Sequence, residues 1–341
     1  MTETTEAVGR RRRAIRMVLA TFAALTVIVP VTASRADAGF QRGEQARGVQ
    51  TPLLAGPSTG RSTQVGSSAR PRDARAANIV VSYTGFTTAA RNAFQAAVNI
   101  WETKITSGVT IRIQATFENL GNTGILGQAG PTTLHRNFSG GKQNTWYPQA
   151  IANKLAGSDL DPNSPDIAAS FNSNFPNWYF GTGGPGPSNT YDFETVVLHE
   201  IGHGLGFLLS FRQSGSQIIH GFSVGGVSSP FIEDGFATDN QGRLANRFPS
   251  GSTNFKNAVT SNNLFWNGNR GKQANGGNRP KLFAPNPFQP GSSASHLNEN
   301  TFQQGNANSL MTPFLNQGER IVNPGNITIG ILGDSGWASS K

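Results

Sequence analysis

The sequence predicts an α+β domain: a small twisted mixed sheet, one chemically distinctive helix and a long loop-rich insertion behind it. Three observations lead there. Strand, helix and strand patterns follow one another between residues 78 and 117. A helical pattern carrying two histidines one turn apart runs from about Asp192 to Leu208. A stretch rich in Gly, Asn, Ser and Pro, with few periodic runs, then fills residues 209–295.

The chain has 341 residues, and its first part does not read as fold. Arg10 to Arg13 and Arg16 form a basic block, an apolar run extends from Met17 to Val31, and Ala36-Asp37-Ala38 is a small-x-small site. This pattern predicts a secretory signal peptide over residues 1–38, cut after Ala38. The apolar run is shorter than the ~20 residues that span a bilayer, so no membrane span is expected once the signal is removed. Residues 39–76, rich in Gly, Ser, Arg, Thr and Pro, read as a disordered spacer or a short pro-segment. Ordered structure is expected over 77–341. There is no cysteine, which excludes thiol catalysis, thiolate metal ligands and disulfides. The formal charge of +9 comes mostly from residues 1–76, leaving 77–341 nearly balanced. No basic face argues for nucleic acid; the expected partner is a peptide or protein substrate, and the expected state is a monomer.

Each element has its own signal. Asn78 to Tyr83 is an apolar strand candidate. Thr87 to Thr106 places Ala90, Phe94, Val98 and Trp101 on one helical face. Val109 to Phe117 alternates apolar and polar residues, as a strand with one buried face does. A right-handed crossover through the helix makes those two strands parallel. Residues 121–165 read as loop, with a short helix around Pro148 to Leu155. Asp166 to Asn172 is a further strand candidate. Asp192 is suited to cap the next helix, with Glu194 favourably placed in its first turn. Ile327 to Trp337 reads as a closing helix. Two echoes carry nothing: Gly56 to Ser62 lacks the spacing and lysine of a phosphate loop, and Gly333-Asp334-Ser335-Gly336 has only five residues after it.

The chemistry is concentrated in His199-Glu200-Ile201-Gly202-His203. Histidines four apart on a helix share a face, and two neutral imidazoles there can bind one Zn²⁺. Glu200, beside the first ligand, is placed to act as general base toward a zinc-activated water and to pass the proton to a leaving amine. Gly202 and Gly204 leave space around the metal. A catalytic zinc needs a third protein ligand, and positions 206 and 207 are Gly206 and Phe207, so the site does not close locally. Candidates elsewhere are His296, His220, His135, Glu233 and Asp234, or a glutamate on a following helix.

HExxHxxG with a glycine at Gly206 resembles the metzincin clan of zinc peptidases. Leu209 stands where the compact form of that motif has its third ligand. The arrangement is similar to the leishmanolysin-like branch, in which a long insertion precedes the third histidine and a methionine turn follows. The resemblance implies His296, in Ser292 to Leu297, as third ligand, and Met311, in Asn308 to Pro313, beneath the metal. It implies a zincin/metzincin-like catalytic domain and a secreted zinc endopeptidase with Glu200 as the catalytic residue. Trp146-Tyr147-Pro148 and Gly336-Trp337 add to the likeness, whereas Pro313 replaces a tyrosine that some metzincins carry. A strand above the cleft pairs with substrate in this fold; Ala168, Ala169 and Ser170 are the expected strand contacts, and Thr312 with Phe314 the expected pocket wall. Ca²⁺ is a second candidate ion, in the insertion. Two other functions share these residues: a narrow processor of surface or cell-wall peptides, and a noncatalytic binding or adhesion module with a relic zinc site.

Overall fold

A computed structural model describes residues 43–67 and 77–339; the expected signal peptide lies outside them. The main sheet is built from six strands: β1 (Thr51–Val65), β2 (Ile79–Thr84), β3 (Ile111–Glu118), β4 (Ile125–Pro131), β5 (Ile167–Asn172) and β6 (Phe314–Ile321). Their spatial order is β6-β1-β4-β5-β3-β2. Strands β2, β3 and β5 run parallel, with Ile79 opposite Ile111 and Ile113 opposite Ile167. Strand β4 is antiparallel to both of its neighbours, and β6 is parallel to β1. The mixed sheet and the crossover are thus as expected.

The crossover is α1 (Thr88–Glu102). Its cap is Thr87, whose side chain accepts from Ala90 N–H at 3.2 Å, an interaction that stabilises a helix by about 1 kcal/mol. It ends four residues before the expected Thr106, because Ile105–Thr106 pairs with Ala338–Ser339. The short helix α2 (Gln149–Ala156) closes on Gly157 in the left-handed conformation. Helix α3 (Phe193–Gly204) packs against α1 and strands β1, β4, β5 and β6. Trp101 locks the two helices by donating its indole N–H to Leu198 O at 2.9 Å. Buried Phe94, Phe171 and Phe193 pack edge-on and tilted between α1, β5 and α3, with centroids 5.7 and 5.3 Å apart. Helix α4 (Asn326–Ser335) is the expected closing helix.

Two regions differ from the sequence expectation. Residues 44–47 and 51–65 are strands, so over them the disordered-spacer reading of 39–76 is incorrect, and order begins well before Ala77. Within 121–165 the chain forms β4 and a strand at Thr133–Arg136. Both β1 and β4 contain Gly and Pro, and β4 is buried on both faces, so neither shows the alternation that marks a half-exposed strand. The insertion 209–295 is loop-rich but not structureless. It holds hairpins at 212–219 and 222–229, helices Thr253–Val259 and Asn269–Ala274, and a three-stranded sheet of Ala237–Thr238, Leu264–Trp266 and Lys281–Leu282. Among the described residues no helix is long and apolar enough to cross a membrane.

Candidate metal centre

Helix α3 is fixed at both ends. Asp192 caps it, its Oδ1 accepting from Thr195 N–H at 2.8 Å. Arg320 on β6, 1% exposed, donates to Asp192 Oδ2 at 3.2 Å and to Glu194 Oε2 at 2.7 Å. Burial pushes the Glu194 carboxyl up to about 7, against the pull of Arg320. The carboxylates at 192 and 194 were legible as helix-start signals; their shared cation, over 120 residues away, was not.

At the other end the helix stops at Gly204, earlier than Leu208. Gly206 adopts φ +110°, Gly206 N–H reaches His203 O, and Phe207 N–H reaches Gly202 O. This is the left-handed C-terminal motif that glycine permits. Its consequence is chemical: the reversed chain brings Phe207 O to 2.7 Å from His203 Nδ1. Trp337, in the C-terminal Gly-Trp pair, donates to Leu205 O at 2.6 Å and satisfies one of the open carbonyls of the helix end.

His199, His203 and His296 converge, all fully buried, and among the described residues they are the one group of three or more His, Asp or Glu placed to hold a metal. His203 Nε2 lies 2.9 Å from His199 Nε2 and 3.2 Å from His296 Nε2. A metal held about 2.0–2.1 Å from tetrahedral nitrogen ligands sets them roughly 3.3 Å apart, so the spacing fits zinc. Each Nδ1 faces a backbone carbonyl: Leu310 O at 2.6 Å for His199, Phe207 O at 2.7 Å for His203, and Ser292 O at 2.8 Å for His296. A carbonyl only accepts, which places the proton on Nδ1 and leaves three Nε2 lone pairs pointing at one another. Lone pairs so arranged have no mutual hydrogen bond to make; a cation between them resolves the conflict, in the pattern by which zinc-bound histidines are oriented. Burial holds His199 at about 4 and pushes His203 and His296 well below the ordinary histidine range, so all three are neutral ligands at neutral pH.

The insertion delivers the third histidine. His296 O accepts from Phe283 N–H at 2.8 Å, next to the strand Lys281–Leu282, and Leu297 N–H donates to Met311 O at 2.7 Å. Residues 306–312 then form a tight turn, with Thr312 N–H and Oγ1 both bonded to Ser309 O. One turn therefore supplies the carbonyl that orients His199 and the Met311 side chain. Met311 is fully buried under the helix at Gly202: a Cβ there would sit 2.8 Å from the Met311 sulfur. At Gly204 a Cβ would meet Ile167 at 2.4 Å. These glycines admit packing partners beneath the helix, rather than leaving open space around the metal.

The other candidate ligands lie elsewhere. His220 contacts Phe248 O and stacks edge-on against Phe255. His135 lies beside Thr133 Oγ1, and burial lowers it to about 4. Asp234 is engaged by the N–H groups of Ser210 and Phe231. Glu233 is fully buried near Gly206, and burial pushes it well above the carboxylate range.

Glu200 is also fully buried. Its Oε1 accepts from the backbone N–H of Leu53 on β1 at 3.1 Å, while Oε2 makes no hydrogen bond of ordinary geometry. Burial pushes its carboxyl well above the ordinary range, opposed by that N–H and by the N–H of Ala129 on β4. Gly127 on β4 adjoins it, since a Cβ there would lie 3.3 Å from Glu200 Cγ. The strand expected to meet substrate is misplaced in the sequence reading. Ala168, Ala169 and Ser170 lie on β5, which pairs with β3 on one side and β4 on the other and so has no free edge. Thr312 is buried in the turn, and Phe314 begins β6, opposite Leu54.

Three convergent histidines on a helix and a downstream loop, with a glutamate beside the first, form the active-site architecture of a zinc metalloendopeptidase, in the general zincin/metzincin arrangement. Comparison with known families finds similarity to the family described as SPBPB7E8-like over residues 112–233, a stretch that runs from β3 through α3 into the insertion. No curated protein and no solved structure matches the chain.

Proposed function

We propose that the protein is a secreted zinc-dependent endopeptidase of the leishmanolysin-like arrangement. The observation that carries the reading is the convergence of three Nε2 lone pairs beside a buried glutamate, one of whose oxygens makes no hydrogen bond of ordinary geometry. His199, His203 and His296 would hold the ion, each fixed by its carbonyl, with Met311 packed below. When bound, zinc supplies Lewis acidity that polarises a peptide carbonyl and makes water a stronger nucleophile at neutral pH. The protein supplies the rest. Glu200 takes the proton of the attacking water and returns it to the amine nitrogen that leaves, a carboxylate doing both halves of one proton transfer. Its burial strengthens that role, because a carboxylate in an apolar site is a better base than one in water. Thr312 and Phe314 form the wall on the leaving-group side.

Substitution Glu200→Gln keeps the shape and removes the base. The expected result is full zinc content with peptide hydrolysis reduced by about a thousandfold or more, the scale set by losing general-base catalysis. Hydrolysis of a casein or peptide library at the wild-type rate by this variant would sink the proposal. Export is tested separately: mature protein recovered outside the cell should begin at Gly39.

A further inference from the structure

Strand β1 is held as a substrate would be held. It lies between β4 and β6, antiparallel to the first and parallel to the second, and its neighbours offer backbone to it on both sides. Leu54 N–H donates to Pro313 O at 3.1 Å, just before β6, and Ala55 N–H donates to Gly124 O at 2.8 Å, just before β4. Tyr191 donates its hydroxyl to Gly56 O at 2.8 Å. Remove β1 and two facing strand edges remain, one on each side of an extended groove that passes Glu200. Such edges bind extended chains by their backbone and choose among them by side-chain pockets.

The register within the groove is chemically specific. A glutamate that protonates a leaving amine must face the nitrogen of the bond being cut, and the nitrogen facing Glu200 is that of Leu53. The peptide bond presented to the metal centre is therefore Pro52–Leu53. Leu53 is 2% exposed and belongs to the main core, so its side chain fills the position immediately after that bond. Pro52 sits on the other side against Gly291, where a Cβ would come within 2.8 Å of the proline ring, in the loop that leads to His296. Close glycine contacts seat the strand along its length: Gly130 touches Val49 O, and Gly56 lies against Leu315 O and Asn316. With β1 in place, His199, Glu200, His203 and His296 have no exposed surface at all.

Resting on the peptidase reading, we infer that residues 51–56 are a resident pseudo-substrate: they occupy the peptide-binding groove between β4 and β6, keep the centre closed, and must leave it before any other peptide enters. The same register assigns specificity. The groove takes an extended peptide running in the direction of β1, with an aliphatic residue of leucine size directly after the cleaved bond. Residues 39–76 then contain a latency segment rather than a spacer.

The test uses the full chain, loaded with zinc, in three forms: wild type, Leu53→Asp and Leu54→Pro. The first substitution puts a carboxylate in the buried pocket; the second leaves Leu53 in place, removes the N–H that reaches Pro313 O and fixes the backbone and trims the side chain at position 54. Three readouts are taken: hydrogen exchange of amides 125–130, the rate at which a chelator strips zinc, and hydrolysis of fluorogenic peptides that carry leucine or aspartate after the cut. Both variants should keep a cooperative melt while exchange and zinc loss quicken by at least about tenfold, the factor given by 1.4 kcal/mol. Hydrolysis should rise likewise, with leucine preferred. A synthetic peptide of residues 49–58 should reverse these changes, and the same peptide with Leu53→Asp should not. If Leu54→Pro folds yet leaves exchange, zinc loss and hydrolysis as in wild type, the inference is overturned. If exchange and zinc loss quicken but no form cleaves any peptide, the occluding strand stands and the peptidase reading fails.

Discussion

Replacing Arg320 by Met tests how the metal-binding helix is anchored. The side chain is 1% exposed and makes four hydrogen bonds, to Asp192, Glu194, Gly181 O and Thr182 O. Met fills similar volume but leaves two carboxylates buried side by side at the start of α3. Breaking a buried ion pair by removing one partner costs about 3–5 kcal/mol. At roughly 2–4 °C per kcal/mol for a domain of this size, the melting temperature should fall by about 6–20 °C. The loss should depend on pH in a defined direction. Burial already raises Glu194 to about 7, and without Arg320 it rises further. In that variant the folded state binds protons more tightly than the unfolded chain, so stability is lost as pH rises and regained toward pH 4.5. The gap from wild type should therefore be widest above pH 7 and narrow in mild acid. A triple variant, Arg320→Met with Asp192→Asn and Glu194→Gln, removes the stranded charges and keeps a capping side chain at 192; it should recover more than half of the loss. Scanning calorimetry at several pH values measures all of this. A single variant that melts within about 2 °C of wild type, or a triple variant no better than the single one, refutes the anchoring argument.

Three further outcomes follow from the packing. Gly204→Ala drives a methyl group to 2.4 Å from Ile167 on a strand paired on both sides; overpacking of this kind costs about 1–3 kcal/mol, and a thermal melt unchanged from wild type would show that the helix can shift. His135 is buried and lowered to about 4, so between pH 6.5 and 4 the unfolded chain binds the extra proton and stability is lost as pH falls; His135→Gln should flatten that part of the denaturation profile by up to about 3 kcal/mol, and equal pH slopes in the two proteins would count against it. Trp337→Phe keeps an aromatic side chain but loses the bond to Leu205 O at 2.6 Å and some buried volume; a loss of at least about 1 kcal/mol is expected in urea denaturation, and no loss would remove the capping role.

What could be read from the sequence follows the range of the interactions. The pair His199 and His203 and the cap at Asp192 are local, set by helical spacing and residue type, and the sequence carried them; the helix end did not follow, stopping at Gly204 instead of the expected Leu208. His296 and Met311 lie about 100 residues on; residue type left three histidines beyond the helix pair, but only family likeness chose among them, because nothing local says that the insertion's last strand returns to α3. Arg320 was invisible for the same reason. Strand β1 was misread because its information is in its neighbours: a Gly- and Pro-containing run has no periodic face, and it becomes a strand by filling the space between two others. Order along the chain likewise put the substrate edge on β5, a strand that precedes α3, although β5 is paired on both sides.

The central claim is that three histidines, 93 residues apart at the last step, hold one zinc ion. Zinc content measured by native mass spectrometry on wild type, His296→Ala and His220→Ala tests it most directly. His296 lies 3.2 Å from His203 in the cluster, whereas His220 faces Phe248 O outside it. The account predicts stoichiometric zinc in wild type and His220→Ala, and its loss from His296→Ala after dialysis against a weak chelator. Zinc retained in folded His296→Ala, or lost only from His220→Ala, would contradict it.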